Sequence, residues 1–354
     1  MAPCAGRFRP ALAEGAVTSQ QGEQVTSRTG VDAADHPLRP ARPSHDGYRH
    51  EAFLWSGDEQ FVAGTEWFVR EGLDAGQAVM VAVTRPQTEL LREALGPDAR
   101  SVEFVDMEEL GANPARIIPA WHAFTDEHAA EGRPVRGIGE PIWAGRRAVE
   151  LTECQLHEAL LNMAVHPDTP LWLLCPYDVE SLPASVVEEA HRSHPVVLDV
   201  EAHRGSTAYG GAHHVGTMFE ADLPWVDVVV AHRSFGDGDY AAVRRDVAAH
   251  ASSAGVGADR CDDLVLAVHE VAVNSVRYGS GVGELRIWHQ DEALVCEVRG
   301  RGQISDPMTG RRRPSQEVSR GRGLWMANQL CDLVQVRSGS TGTTVRIYTW
   351  LGRP

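Results

Sequence analysis

The stretch DRCDDLVLAVHEVAVNSVRY at 259–278 decides the fold of the last third of the chain. Its polar residues Asp263, Glu270 and Asn274 recur at spacings of three and four, so they share one face of a predicted long helix. A carboxylate at Glu270 can accept a proton from an attacking hydroxyl or water, and an amide at Asn274 can hold a divalent cation beside a triphosphate. Taken alone, this spacing is common, and a solvated helix face usually explains it.

Three glycine turns follow this helix in order. The chain reads VRGRG at 298–302 after a predicted hairpin, GRGL at 321–324 before a short helix, and GTTV at 342–345 before the last strand. Glycine permits close backbone approach, and the free N–H groups at the start of a helix attract phosphate. The pattern predicts a nucleotide-pocket scaffold in which helices pack on one face of a mixed sheet, with the other face in water.

This ordered set of motifs resembles the GHKL (Bergerat) ATPase domain of anti-sigma-factor kinases and their actinobacterial relatives, over about residues 225–351. The resemblance implies an α/β sandwich that binds ATP and Mg²⁺ and holds a sigma factor; kinase members phosphorylate a serine of an anti-anti-sigma (STAS) protein. It makes Glu270 the general base and Asn274 the magnesium ligand. The other residues carried over are Gly302 of the first Gly box, Gly321 and Gly323 of the second, and Thr344 near the adenine.

One position departs from the family pattern. The first Gly box of the family has an aspartate that accepts the adenine amino group, and Gly300 stands at that place here. Losing a charge-assisted hydrogen bond in a partly buried pocket costs on the order of 1.5 to 3 kcal/mol, roughly tenfold to more than hundredfold in affinity. The domain can therefore act as a binding module without ATP, and we expect Gly300→Asp to raise nucleotide affinity.

Upstream, short apolar runs alternate with amphipathic stretches between residues 46 and 200, which is typical of βαβ units and a largely parallel sheet. The predicted strands are 52–55, 78–83, 102–105, 135–138 and 171–174. The chain has no G-x-x-x-x-G-K-[ST], so this doubly wound domain lacks a P-loop. Ligands of such sheets bind beyond the carboxyl ends of the strands, and the sequence predicts an apolar crevice with polar anchors there.

Three segments of this domain, HEAFLWSGD at 50–58, RGIGEPIW at 136–143 and LCPYD at 174–178, resemble the MEDS sensory domain. The resemblance covers about residues 48–195 and implies a sensory domain with a RecA-like fold that has lost its catalytic loop. The candidate residues of a small-molecule pocket are His50, Asp58, Trp143, Cys175, Tyr177 and Asp178. The competing interpretation is that Trp143 and Cys175 are core residues and that the acidic residues cap helices. A further candidate is a metal site formed by Cys154, His157 and His50.

Composition and charge limit the remaining choices. With 33 basic and 49 acidic residues the formal net charge is -16, so we predict no direct nucleic-acid binding; the acidic surface suits a basic protein partner, and it is equally explained by solubility alone. No apolar run reaches the roughly 18 residues that cross a bilayer, and no secretion signal is recognisable, so we expect a cytoplasmic protein. We predict a disordered tail at 1–45, a Gly- and His-rich linker at 201–224 and an ATPase-like domain at 225–352.

Three functions stay open on the sequence. In the first, resembling regulators called RsbA-like, the sensory domain controls a transcription factor by partner switching with a sigma factor, an anti-anti-sigma protein or both. The second is an ATP-dependent serine kinase of the anti-anti-sigma protein. The third is an atypical sensor histidine kinase, disfavoured because no dimerising helix pair with a phosphoacceptor histidine precedes the ATPase-like domain. A homodimer is compatible with all three.

Overall fold

The computed structural model describes residues 47–199, 202–314 and 322–352. The predicted tail at 1–45 and Gly321 lie outside these ranges. Within them, none of the helices combines the length and apolar character that a membrane span requires.

The N-terminal domain is built on a seven-stranded sheet of order β3-β2-β4-β5-β1-β6-β7, in which only β7 runs antiparallel to its neighbour. Its strands are β1 Arg49–Trp55, β2 Ala78–Val83, β3 Glu103–Asp106, β4 Val135–Gly139, β5 Leu171–Asp178, β6 Val196–Leu198 and β7 His203–Gly205. The six residues AVMVAV of β2 are all buried, as expected of a parallel strand covered on both faces.

Helices cover both faces of this sheet. They are α1 Gly57–Asp74, α2 Arg85–Leu95, α3 Met107–Leu110, α4 Ile117–Ala129, α5 Ala148–Ala164, α6 Ala184–Ser193 and α7 Gly211–Glu220. One core contains Phe61 and Phe68 of α1, and another contains Trp121 of α4 and Leu160 of α5. Helix α5 differs from the others because its buried residues include three glutamates and a histidine, namely Glu150, Glu153, Glu158 and His157.

The structure contains all five predicted strands of this domain and adds two that the sequence did not indicate. Strand β7 lies in the predicted linker at 201–224, where it pairs with β6, and the same segment forms α7. Helix α7 buries Val215 and Phe219, two apolar residues one helical turn apart. The linker prediction was wrong because the many Gly and His residues concealed this short apolar stripe.

The C-terminal domain is a five-stranded antiparallel sheet of order β11-β12-β10-β9-β8. Its elements are β8 Ala231–Phe235, α8 Tyr240–Ser253, α9 Ala258–Tyr278, β9 Gly283–Gln290, β10 Ala293–Gly300, α10 Arg322–Leu330, β11 Leu333–Gly339 and β12 Gly342–Trp350. The three helices contribute to one core with the alternate apolar side chains of the strands, including Leu285, Cys296 and Ile347. The predicted fold class is confirmed, although the pairing is antiparallel throughout rather than mixed.

The outer face of this second sheet is covered, and the prediction that it faces water was wrong. Arg286, Glu297 and Arg346 point to that face and are at most 4 % exposed. The extended segment at 221–230 covers them on one side, with the Trp225 ring 3.9 Å from the Arg286 guanidinium. Val149 of α5 packs on the apolar part of the same face. The charged residues alternate along the strands as exposed residues would, and sequence alone does not distinguish the two cases.

Candidate functional site

A cavity of about 240 Å³ opens in the C-terminal domain between α9, the ends of β10 and β12, and the start of α10. Its walls are mainly apolar, with amide and hydroxyl groups among them. The lining residues are Val271, Asn274, Ser275, Tyr278, Val298, Gly300, Gly302, Gln303, Ile304, Thr309, Leu324, Thr343 and Val345. None of these described wall residues carries a carboxylate, so the cavity suits a mainly apolar group that also makes hydrogen bonds to amides and hydroxyls.

The predicted catalytic pair meets at one point beside this cavity. Asn274 lines it, and Glu270 lies one turn earlier on α9. Both reach the first turn of α10 at Gly323, where an added Cβ would stand 2.7 Å from Asn274 Nδ2 and 3.3 Å from Glu270 Oε2. The structure thus brings Glu270, Asn274 and Gly323 together, and Gly323 permits the close approach because it has no side chain.

Of the predicted glycine-box and adenine residues, one lines the cavity and one does not. Gly302 lines the cavity, whereas Thr344 is replaced there by Thr343, one residue earlier. Successive side chains of a strand point to opposite faces, so Thr343 and Val345 face the cavity and Thr344 faces away. Thr343 Oγ1 donates to the Gly302 carbonyl at 2.7 Å and lies 2.9 Å from Ser338 Oγ, which ties the first and last glycine turns together.

Gly342 is one position in this region whose conformation requires glycine. Its φ is +122°, and an added Cβ would stand 2.2 Å from the Gly300 carbonyl oxygen. A side chain at this position would push β12 away from the end of β10. The close approach of these two strand ends closes one wall of the cavity.

A second cavity, of about 220 Å³, lies at the carboxyl ends of the strands of the N-terminal domain, where the sequence predicts a crevice. Trp143 and Asp178 line it together with Thr84, Glu140 and Ser181. The other predicted pocket residues are elsewhere. Asp58 is exposed in the first turn of α1, and His50, Cys175 and Tyr177 are buried below α5 and α6. The predicted sensory residues therefore divide between an open crevice and a buried group.

Two family models match the chain and together cover both domains. The model described as "MEDS: MEthanogen/methylotroph, DcmR Sensory domain" matches residues 49–195, and the model described as "Histidine kinase-like ATPase domain" matches residues 237–349. The chain is a MEDS domain followed by a histidine kinase-like ATPase domain. This pairing is that of a regulatory signalling protein. A comparison with curated proteins gave no match.

The MEDS and ATPase domains share a buried ionic contact. Glu153 of α5 is 1 % exposed and accepts from Arg311 Nη2 at 2.9 Å and from Arg337 Nη2 at 2.6 Å. Arg337 belongs to β11, and Arg311 to the segment between β10 and α10. Nothing in the sequence singled out this contact, because three charged residues distant in sequence carry no shared pattern.

The segment between β10 and α10 belongs to both domains at once. Its residues Gln303, Ile304 and Thr309 line the ATPase cavity. Met308 of the same segment is 1 % exposed and belongs to the MEDS core that also contains Trp121. The MEDS domain therefore holds the chain that forms one wall of the ATPase cavity.

The far end of α10 is also held by the MEDS domain. Arg116 donates from Nε to the Asn328 carbonyl at 2.9 Å, and from Nη2 to the carbonyls of Gln329 at 3.0 Å and Cys331 at 2.9 Å. A guanidinium at the carboxyl end of a helix satisfies free carbonyls and offsets the negative end of the helix dipole. Helix α10 therefore begins at the ATPase cavity and ends in contact with the MEDS domain.

Gly300 bears on whether nucleotide affinity can be restored. An added Cβ would stand 2.9 Å from Ser275 Cβ and 3.3 Å from both the Cα and the carbonyl oxygen of Ser275. Side-chain and backbone atoms of α9 would have to move to make room. The structure argues against the gain that we expected for Gly300→Asp.

We expect Gly300→Ala to lower the free energy of unfolding by about 1–3 kcal/mol, the usual cost of overpacking. Gly300→Asp should show the same loss and bind a fluorescent ATP analogue no more tightly than the wild type. Gly238→Ala is the control, because a Cβ there meets nothing within 4 Å. Tighter binding by Gly300→Asp, with its denaturant midpoint unchanged, would contradict this account.

The MEDS crevice contains an acid with an unusual protonation state. Glu140 is 2 % exposed and accepts from the Thr84 backbone N–H at 3.3 Å. Burial raises the pKa of Glu140 to about 8, against the lowering effect of the Thr84 hydrogen bonds, and the charge of nearby Asp178 raises it further. Near neutral pH this carboxyl is protonated and offers a hydrogen-bond donor to whatever occupies the crevice.

A raised acid pKa makes stability depend on pH in a definite direction. The folded state holds the Glu140 proton where the unfolded chain has lost it, so the contribution is complete below about pH 4.3 and disappears as pH rises through about 8. We expect the wild type to lose about 2 kcal/mol relative to Glu140→Gln between pH 6 and pH 8. Parallel urea titrations of both proteins check this, and an identical pH dependence would show that Glu140 is ionised in the fold.

Proposed function

We propose that this protein regulates transcription by partner switching. In this proposal the ATPase domain binds a sigma factor, an anti-anti-sigma (STAS) protein or both, and the MEDS domain controls that binding. The observation that carries the proposal is the segment between β10 and α10, which lines the ATPase cavity and is held by Met308 and Arg311 in the MEDS domain. A change in the MEDS domain reaches the ATPase domain directly through this segment.

An exposed apolar strip gives the ATPase domain a candidate contact surface for a protein partner. Trp225, Val228 and Val230 are 58 %, 81 % and 51 % exposed, and they precede β8, the edge strand of the sheet. Contiguous exposed apolar residues beside an unpaired edge strand are typical of protein interaction sites. The acidic net charge of -16 further favours a basic partner over nucleic acid.

The cavity favours a binding role over kinase activity. Asn274, Glu270 and Gly323 lie close together beside the cavity, which supports the proposal that the scaffold of a nucleotide site is retained. At the position of the missing aspartate, Gly300 offers no acceptor, and the wall has no carboxylate among the described residues to replace it. We therefore propose that ATP and Mg²⁺ are dispensable for partner binding.

A sensor histidine kinase is less well supported. Between the two matched regions, the described residues 202–236 form β7, the ten-residue α7, an extended segment and β8. Helix α7 packs through Val215 and Phe219 against the protein. A dimerising phosphoacceptor module needs two long helices with an apolar seam, which this segment does not provide.

The proposal is tested by direct binding of the purified full chain to the sigma factors and STAS proteins of the same genome. We expect at least one to bind with a Kd in the micromolar range or below, without nucleotide. Val228→Asp with Val230→Asp should weaken that binding at least tenfold, and Leu266→Asp, at a 41 % exposed position on α9, is the matched control. Binding to none of them would overturn the proposal.

The kinase alternative has its own experiment. The protein is incubated with Mg-ATP and each STAS protein, and phosphoserine is detected by mass spectrometry. We expect no transfer. Serine phosphorylation that is lost in Glu270→Ala would show an active kinase and would refute a role of the ATPase domain in binding alone.

A further inference from the structure

Four metal-ligating side chains converge in the buried part of the MEDS domain. His50 is on β1, Cys175 on the neighbouring β5, Glu158 on α5, and His194 directly follows α6. Their exposed fractions are 3 % for His50, 2 % for Cys175, and 0 % for both Glu158 and His194. Each offers one ligand atom, and these atoms all lie within 4.8 Å of one another.

The distances suit a tetrahedral metal centre. Glu158 Oε2 lies 3.0 Å from His50 Nε2 and 3.3 Å from His194 Nε2, and Cys175 Sγ lies 3.4 Å from His50 Nε2. A tetrahedral ion with bonds of about 2.0–2.3 Å has its ligand atoms roughly 3.3–3.7 Å apart. The three separations lie in or near this range, and all four ligand atoms lie within 4.8 Å of one another, so they are close enough to surround one ion.

Hydrogen bonds at the far side of both rings assign the imidazole tautomers. His194 Nδ1 lies 2.9 Å from the Ala190 carbonyl oxygen, which can only accept, so this nitrogen carries the proton. His50 Nδ1 lies 3.1 Å from Asn162 Oδ1, and the Asn162 amide is oriented by its own donation to the Ser193 carbonyl at 2.7 Å. A proton on Nδ1 leaves Nε2 of a neutral ring free to direct its lone pair at Glu158, as in metal sites where outer hydrogen bonds fix ligand histidines.

This arrangement leaves polar atoms that no described residue satisfies. Glu158 Oε1 and His194 Nε2 are buried and have no hydrogen-bond partner among the described residues. Buried polar groups are almost always paired, and three acceptors facing one another need a cation or an added proton between them. The unsatisfied atoms belong to two of the four candidate ligand residues, so the missing partner would lie at this cluster.

We propose that the MEDS domain binds one divalent transition-metal ion of the Zn²⁺ class through His50, Glu158, Cys175 and His194. Imidazole and thiolate ligands select such ions over Mg²⁺ and Ca²⁺, which prefer oxygen. All four positions are filled by protein and the site is buried, which is the pattern of a structural or sensing centre rather than a hydrolytic one. Of the metal site predicted from sequence, His50 belongs to the cluster, whereas Cys154 and His157 do not.

Helix α5 connects the proposed ion site to the ATPase domain. Glu158 and the supporting Asn162 are on the same helix as Glu153, which holds Arg311 and Arg337. The ion would join α5 to β1, β5 and the end of α6, so loading the site fixes the helix that carries the interdomain contact. This consequence does not depend on which protein the ATPase domain binds.

The test uses the full chain, stripped of metal with a chelator and titrated with Co²⁺ as a spectroscopic probe. We expect one equivalent to bind, with the intense visible bands of tetrahedral cobalt and a near-ultraviolet thiolate-to-cobalt charge-transfer band. Cys175→Ser should abolish the charge-transfer band, and His194→Gln should weaken binding at least tenfold. Cys154→Ser and His157→Gln alter buried neighbours on α5 that lie outside the cluster, so they should leave the spectrum unchanged.

Wild-type titration alone keeps the proposal falsifiable if the variants fold poorly. Zn²⁺ measured by mass spectrometry of the purified protein should approach one ion per chain, and chelation should lower the Tm. Absence of any bound cobalt or zinc at one equivalent would overturn the site in favour of a proton shared between Glu158 and the histidines. A charge-transfer band that survives in Cys175→Ser would overturn it as well.

Discussion

Glu153→Ala is expected to lower the free energy of unfolding by about 3–5 kcal/mol, because it leaves two buried guanidiniums without their counter-charge. The side chains of Arg311 and Arg337 are 7 % and 5 % exposed, so water cannot replace the lost carboxylate. The measurement is urea unfolding of the full chain, followed by circular dichroism. Glu153→Gln keeps a hydrogen-bond acceptor but no charge, so its free energy of unfolding should lie between those of the wild type and Glu153→Ala.

The same variant should also loosen the connection between the domains. Backbone hydrogen exchange is expected to speed up in β11, because Arg337 of that strand donates to Glu153. It should also speed up around Met308, which packs in the MEDS core. Thr152→Ala is the matched control, because Thr152 is the exposed neighbour on the same helix and its hydroxyl only donates to the Ala148 carbonyl. A loss for Glu153→Ala no larger than that of the control would refute an interdomain role for this carboxylate.

Glu297→Ala should have an effect of similar size, about 3–5 kcal/mol, within the ATPase domain. Glu297 is 0 % exposed and accepts from Arg286 at 3.1 Å, Arg299 at 2.7 Å and Arg346 at 2.6 Å. Without the carboxylate, three like charges face one another beneath Trp225. We expect the segment at 221–230 to loosen. Urea unfolding followed by the red shift of tryptophan fluorescence should have its midpoint at a lower urea concentration than in the wild type.

The pH dependence gives this second prediction an independent check. Burial alone would raise the pKa of Glu297, but hydrogen bonds from Arg299 and Arg346 outweigh it and hold the pKa below its usual value. The contribution is therefore complete above the unfolded pKa of about 4.3 and is lost as pH falls through the lower folded value. The stability difference from wild type should shrink in acid, whereas Glu284→Ala, an exposed acid on β9, should show little effect at any pH.

Much of the ATPase domain could be predicted because its signals are local. Apolar spacing along 259–278 predicts helix α9, and the alternation in β9 and β10 predicts a hairpin. The positions of Glu270 and Asn274 on one helix face follow from helical geometry, without tertiary information. Thr343 shows where local reasoning reaches its limit, since a shift of one residue in a strand moves a side chain to the opposite face.

The MEDS pocket was harder to predict, because its residues come from strands and helices far apart in sequence. Residues near the carboxyl ends of the strands, such as Trp143 and Asp178, could be assigned to the crevice from the general geometry of parallel sheets. Whether His50 and Cys175 line the crevice or are buried depends on which helices cover the sheet. Glu158 and His194 gave no signal beyond being polar residues in or beside buried helices.

The two domains and their order were readable from the chain before folding, because periodic apolar residues and glycine motifs act over short stretches, and the motifs resemble the families that match. Folding was needed to reveal that α5 packs on the second sheet, that Glu153 joins the domains and that His50, Glu158, Cys175 and His194 converge. A buried charge is stable only with its partners in place. Those partners are brought together by the folded backbone and not by neighbouring positions in the chain.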